Sequence, residues 1–169
     1  MRPLTGITAA AAGCAALLLT LALPAGASTG NDEPRTGGHV SGDIHLDGEQ
    51  EVPGPGDADG RGMFRYVIKN DRLCYSLTAH KIAKPTAAHI HIAPRGEAGP
   101  VVVTLKTPVK GMSRDCIQAQ HRQNPDNAAT VLTRQELHGI VDDPWAHYAN
   151  VHNKPFPAGA IRGQLEHRS

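Results

Sequence analysis

His89 and His91, one residue apart, and the more distant His152 are the residues whose types and spacing best fit chemistry. Side chains alternate faces along an extended strand, so His89 and His91 leave the same face, opposite Ile90. His152 lies beyond an alternating stretch in which Tyr148 and Asn150 share its face and Val151 does not. If its strand neighbours that of His89, three imidazoles converge. Imidazole suits zinc, copper, nickel and iron, and three histidines plus an open position describe a catalytic zinc site. The alternative is structural: a His-x-His pair hydrogen-bonded to its neighbours at a sheet edge. His39, His45, His80 and His147 are further imidazoles that spacing alone does not select.

Other chemistry finds less support. Ser76 and Ser113 have no strand-to-helix elbow around them. Asp142 and Asp143 are adjacent, so on a strand they would point apart, and Pro144 marks a turn. No glycine-rich, phosphate-cradling loop precedes a helix. Arg162 and Gln164 share the non-core face of the last strand, where Arg162 suits a carboxylate or a turn carbonyl. Gly159 and Gly163 read as positions of special backbone or close packing. The sequence therefore holds no legible catalytic set.

The chain opens with Arg2, an apolar run over 9–23 and a small-residue ending at Ala25 and Ala27. This predicts a cleaved signal peptide over residues 1–27 and export. A retained N-terminal anchor and a lipobox ending at Cys14 are the alternatives. Most of the apolar run follows Cys14, which disfavours the second. Removing 1–27 takes away Arg2 and no acid, leaving 16 basic residues against 16 acidic ones. With no basic stripe, nucleic acid is excluded as a partner, and no membrane span is expected after cleavage. Residues 28–38 are polar, contain glycine and proline and show no apolar periodicity, reading as a flexible tether, and one domain follows over 39–167. Two cysteines remain in it, Cys74 and Cys116. In an oxidising compartment they are expected to form one disulfide, with two separate thiols as the alternative.

The elements that would position these groups are strands. Val40–Asp47, 62–69 and 73–79 alternate, the last two joined by the turn signal Asn70-Asp71 as a hairpin. Strands are also expected over 87–93, 101–105, 145–151 and 158–166, and 107–126 reads as a long connection pinned by Cys116. Thr133 and Glu136 fit a capping box, with Leu132 and Leu137 at the staple positions and Gly139 as a terminator. The fold class is all-β: an antiparallel, Greek-key-like β-sandwich of seven or eight strands with one short helix.

Three segments taken together resemble the CHRD (chordin) domain of secreted bacterial proteins, over roughly residues 40–166. They are Leu46-Asp47-Gly48-Glu49-Gln50-Glu51-Val52-Pro53; Ala88-His89-Ile90-His91 with 99–105; and Tyr148-Ala149-Asn150-Val151-His152 with 157–165. Glu51, Pro53, Asn150, Arg162 and Gly163 fall on motif positions. The chain departs from the usual pattern at Gly54, at Asn153 and at Ala160, where relatives commonly carry an acid. The resemblance implies an immunoglobulin-like or related sandwich in an extracellular setting and no established enzyme activity. The His-x-His strand is also similar to that of copper/zinc superoxide dismutases, although no bridging histidine with its following acidic ligand is found. Two functions are expected from this. The first is a non-enzymatic module binding a protein, glycan or other envelope partner, or serving a purely structural matrix. The alternative is a copper or zinc protein using His89, His91 and His152.

Overall fold

The computed structural model describes residues 39–168; the signal peptide and tether expected over 1–38 lie outside the described residues. Eight antiparallel strands form the domain: β1 (Val40–Asp47), β2 (Arg61–Lys69), β3 (Arg72–His80), β4 (Pro85–Ile92), β5 (Val101–Thr104), β6 (Met112–Gln118), β7 (His147–Asn153) and β8 (Ile161–Gln164). One helix, α1 (Arg134–Asp142), lies between β6 and β7. The strands belong to one continuous sheet in the order β5-β4-β7-β8-β1-β2-β3-β6. Its halves are stitched at β1 and β8 by a single residue pair, Asp47 and Arg162. The sheet curls there, and apolar faces of both halves enter one core. Ile44, Phe64, Leu73 and Leu77 come from one side, Ile90, Val103, Val151 and Ile161 from the other. The expected sandwich is thus built from one folded-over sheet.

Strict alternation made β1 to β3 legible. In β2, Phe64, Tyr66 and Ile68 are buried while Arg65 and Lys69 are exposed. The long connection expected over 107–126 instead contains β6, which pairs with β3 and sets Cys116 opposite Cys74. The two cysteines form the expected disulfide. Helix α1 begins as anticipated, with Thr133 Oγ1 accepting from Glu136 N–H and the Glu136 carboxylate accepting from Thr133 N–H. It does not stop at Gly139. It continues to Asp142, and the Asp143 N–H then donates to the Gly139 carbonyl. Asp142 and Asp143 are therefore a helix end and its cap, not a free loop. Among the described residues no helix is long and apolar enough to cross a membrane.

Gly163 holds the seam. A side chain there would meet the His45 carbonyl and the Ile44 side chain of β1, so β8 and β1 can approach only over bare backbone. Gly163→Ala should cost about 2 kcal/mol or more, as expected for overpacking a buried site. Urea denaturation should show a lower midpoint with an unchanged slope.

Candidate functional site: a histidine triad on the covered face of the sheet

Strand β7 is buried on both faces. Ala149 and Val151 enter the core. Tyr148, Asn150 and His152 turn the other way, toward a second, polar layer. Antiparallel register sets His91 opposite Tyr148 and His89 opposite Asn150 on β4, and Gln164 and Arg162 opposite the same two residues on β8. The 93–99 turn covers this layer. Gln164 Nε2 donates to the Ala93 carbonyl, and the Arg162 guanidinium donates to the carbonyls of Pro94 (3.0 Å) and Glu97 (2.7 Å). Arg162 is only 1% exposed, and its role is to anchor turn carbonyls. It lies 3.4 Å above the Tyr148 ring, whose plane is parallel, within 2°, to the His91 imidazole at 4.7 Å. The stack runs guanidinium, phenol, imidazole, and it fixes where His91 can point.

The three expected histidines come together. One ligand-capable nitrogen from each of His89, His91 and His152 lies within 4.8 Å of the others. His91 Nδ1–H donates to the Gly99 carbonyl at 2.9 Å, and His152 Nδ1–H donates to the Pro157 carbonyl at 3.0 Å. A carbonyl can only accept, so in both rings the proton sits on Nδ1 and Nε2 presents a lone pair. His91 Nε2 is buried and has no hydrogen-bond partner. His152 Nε2 stands 3.1 Å from His89 Nδ1. Metal-binding histidines are oriented in the same way, by a backbone acceptor on the distal nitrogen.

Burial keeps these rings neutral. It lowers His89 to about 4, with His152 and His91 adding like-charge repulsion. It lowers His91 and His152 as well, against the opposing effect of their carbonyl contacts. Three neutral imidazoles at pH 7 are three ready donors.

The remaining histidines stay apart. His147 projects from the opposite face of β7 and donates to the Asp143 carbonyl. His39, His45 and His80 are exposed away from the triad. The motif positions of the first segment do reach the site. Glu51, only 5% exposed, packs its carboxyl against Gly159, where any side chain would collide with it. Pro53 is exposed just beyond, after a cis peptide bond. Burial raises the Glu51 carboxyl to about 7 despite the attraction of Arg162 and the nearby polar groups of the Val52 backbone and the Asn150 amide, and its Oε1 is buried without a hydrogen-bond partner. Asn150 thus lies near Glu51 as well as the triad, and its Oδ1 is 3.1 Å from His152 Nε2. Sequence reasoning placed Asn150 on the face of His152 without assigning it a ligand's place, and placed Glu51 on a motif position only. The two carbonyls that orient the rings, Gly99 and Pro157, carry no side-chain signal at all.

Fold and site together define an all-β, sandwich-like module whose covered polar face holds a histidine triad. Residues 43–165 match the CHRD domain, and the chain belongs to that family. No curated protein and no solved structure matches it.

The titrations oppose one another. Between pH 7 and about 4.5 the folded Glu51 holds more proton than the unfolded chain, so its contribution to stability grows as pH falls. His89 does the reverse: unfolded imidazoles protonate below 6.5 while the folded ring stays neutral to about 4, so stability is lost across that window. Glu51→Gln removes the first effect. The variant should be more stable than wild type at pH 8 by on the order of 2 kcal/mol, with most of the difference lost by pH 5 and the rest below about 4.5. Chemical denaturation at the two pH values, with chelator present, checks this.

Proposed function

We propose that this is an exported CHRD-domain module that binds a first-row transition metal, copper or zinc, through His89, His91 and His152. The observation that carries the reading is the buried, partnerless Nε2 of His91 beside two other imidazoles, in a ring locked by Gly99 and Tyr148. A buried lone pair without a donor costs free energy, and a cation among the three rings would satisfy it. Neutral imidazoles with no thiolate among them suit copper(II) and zinc(II). Export is supported by the signal-like first 27 residues and by the disulfide, which fits an oxidising compartment. No nucleophile, base and orienting group converge elsewhere among the described residues, which supports a binding role over catalysis.

A second reading, a module that docks a protein or envelope partner, is favoured by exposed Ile92 (45%) and Trp145 (56%). Ile92 borders a groove also lined by Val101, His121 and Gln135.

Elemental analysis of the purified, untagged protein tests the metal reading. One equivalent of copper or zinc should be present or taken up. His89→Ala/His91→Ala should weaken binding at least about 100-fold, since it removes two donors where loss of an outer contact alone costs about 10–100-fold. A wild-type protein that retains and takes up no metal refutes the proposal and leaves partner docking.

A further inference from the structure

Asn150 is buried between the two neighbouring strands, opposite His89 on one side and Arg162 on the other, and is 1% exposed. Its Oδ1 faces His152 Nε2 at 3.1 Å. That nitrogen carries no proton, because His152 Nδ1–H is the one donated to Pro157. With the amide oxygen toward the ring, two acceptors face each other at hydrogen-bond distance, and a shared cation reconciles them.

The spacings also fit a coordination shell. Two donors each about 2.0–2.1 Å from a tetrahedral zinc stand about 3.3 Å apart. The Asn150–His152 separation is 3.1 Å; the His89–His152 separation is also 3.1 Å, where His89 Nδ1–H can donate to His152 Nε2 in the metal-free protein, and the three histidine nitrogens lie within 4.8 Å of one another. The Glu51 carboxyl, which the side-chain-free Gly159 admits, lies near the same amide. An ionised carboxylate there favours turning the amide N–H₂ toward Glu51 and the oxygen toward the histidines.

We infer that Asn150 Oδ1 is the fourth donor of the triad, closing it as a three-nitrogen, one-oxygen site with Glu51 as the positioning residue. This rests on the metal reading above and goes beyond it. A triad alone leaves a position for water or substrate, as catalytic zinc sites do, whereas a fourth protein donor makes a closed site of the kind that holds its ion. The site stores or carries a metal and does not turn over a small molecule on it. The competing arrangement has the amide turned round, its N–H₂ donating to His152 Nε2 and the fourth position left open.

Azide separates the two. It enters an open position on copper(II) and produces a charge-transfer band. The full-length protein loaded with one equivalent of copper(II) should show no azide-dependent band at millimolar azide. Asn150→Ala should gain that band, and Asn150→Asp, which keeps an oxygen in place, should not. Glu51→Ala, which frees the amide, should show the band in part. An azide band of full intensity in the wild-type protein overturns the closed site while leaving the triad intact, and needs no variant to fold. Asn150→Ala that binds copper yet stays blind to azide also overturns it. Failure of the wild type to bind copper(II) or zinc at all sinks the metal reading and this inference together.

Discussion

A guanidinium withdrawn from water must find acceptors for its N–H groups, and Arg162 is almost completely withdrawn. It finds two backbone carbonyls in the 93–99 turn and the amide oxygen of Gln164. That requirement organises the whole polar face. The turn is drawn across the sheet, and Gln164 adds a second tie to Ala93 and a third to the Trp145 carbonyl. The same turn ends at Gly99, whose carbonyl fixes the His91 tautomer and whose N–H reaches the Tyr148 hydroxyl at 3.4 Å. Arg162 also lies on one face of Tyr148 while His91 lies on the other. One buried cation thus determines the cover of the site and the orientation of the His91 ring. Breaking such a contact leaves an uncompensated charge inside, which is why its neighbours are so completely specified.

The second constraint is the seam between the halves of the sheet. Only Asp47 and Arg162 pair across it, so the segment after Asp47 must do the rest. The Gly56 N–H returns to the Gly48 carbonyl, and the Asp57 N–H donates to Ala160 beside β8. This closed loop carries Glu51 beneath Gly159 and so against Asn150. At position 160, where the family resemblance leads one to expect an acid, the side chain is a buried methyl. Glu51 is then the acid whose charge Arg162 feels and which in turn is felt by it. The positive and negative partners of the face come from opposite sides of the seam, and joining the halves assembles the site.

Much of this was legible because period-two alternation carries both fold and site. It separated His89 and His91 from Ile90, placed His152 with Asn150 and Tyr148, and drew the β2–β3 hairpin. What alternation could not reach were elements held by something other than a buried face. β6 exposes most of its residues; it is an edge strand held by the β3 ladder and the disulfide, so its apolar pattern is faint. Gly139 reads locally as a helix stop. The helix runs on because Leu137 and Ile140 are both buried in the core, and packing outweighs the roughly 1 kcal/mol that glycine costs within a helix. The orienting carbonyls of Gly99 and Pro157 are backbone groups, and no residue type announces them.

The triad has a thermodynamic consequence for how a metal would be held. Desolvation makes each imidazole a weak base toward protons, so protons compete poorly with a metal for the same lone pairs until the pH is well below the ordinary histidine value. The rings are already turned, with two tautomers locked by backbone carbonyls, so little ordering remains to oppose binding. Glu51 works in the other direction. Above neutral pH its ionised carboxyl is a buried negative charge near the site; when protonated, that charge is gone. An ion in the triad would therefore favour the ionised carboxylate and lower the pH at which Glu51 titrates, by the same linkage that lets the carboxylate strengthen metal binding. The cost of keeping that carboxyl buried in the empty protein is the reservoir from which a bound cation would draw part of its affinity.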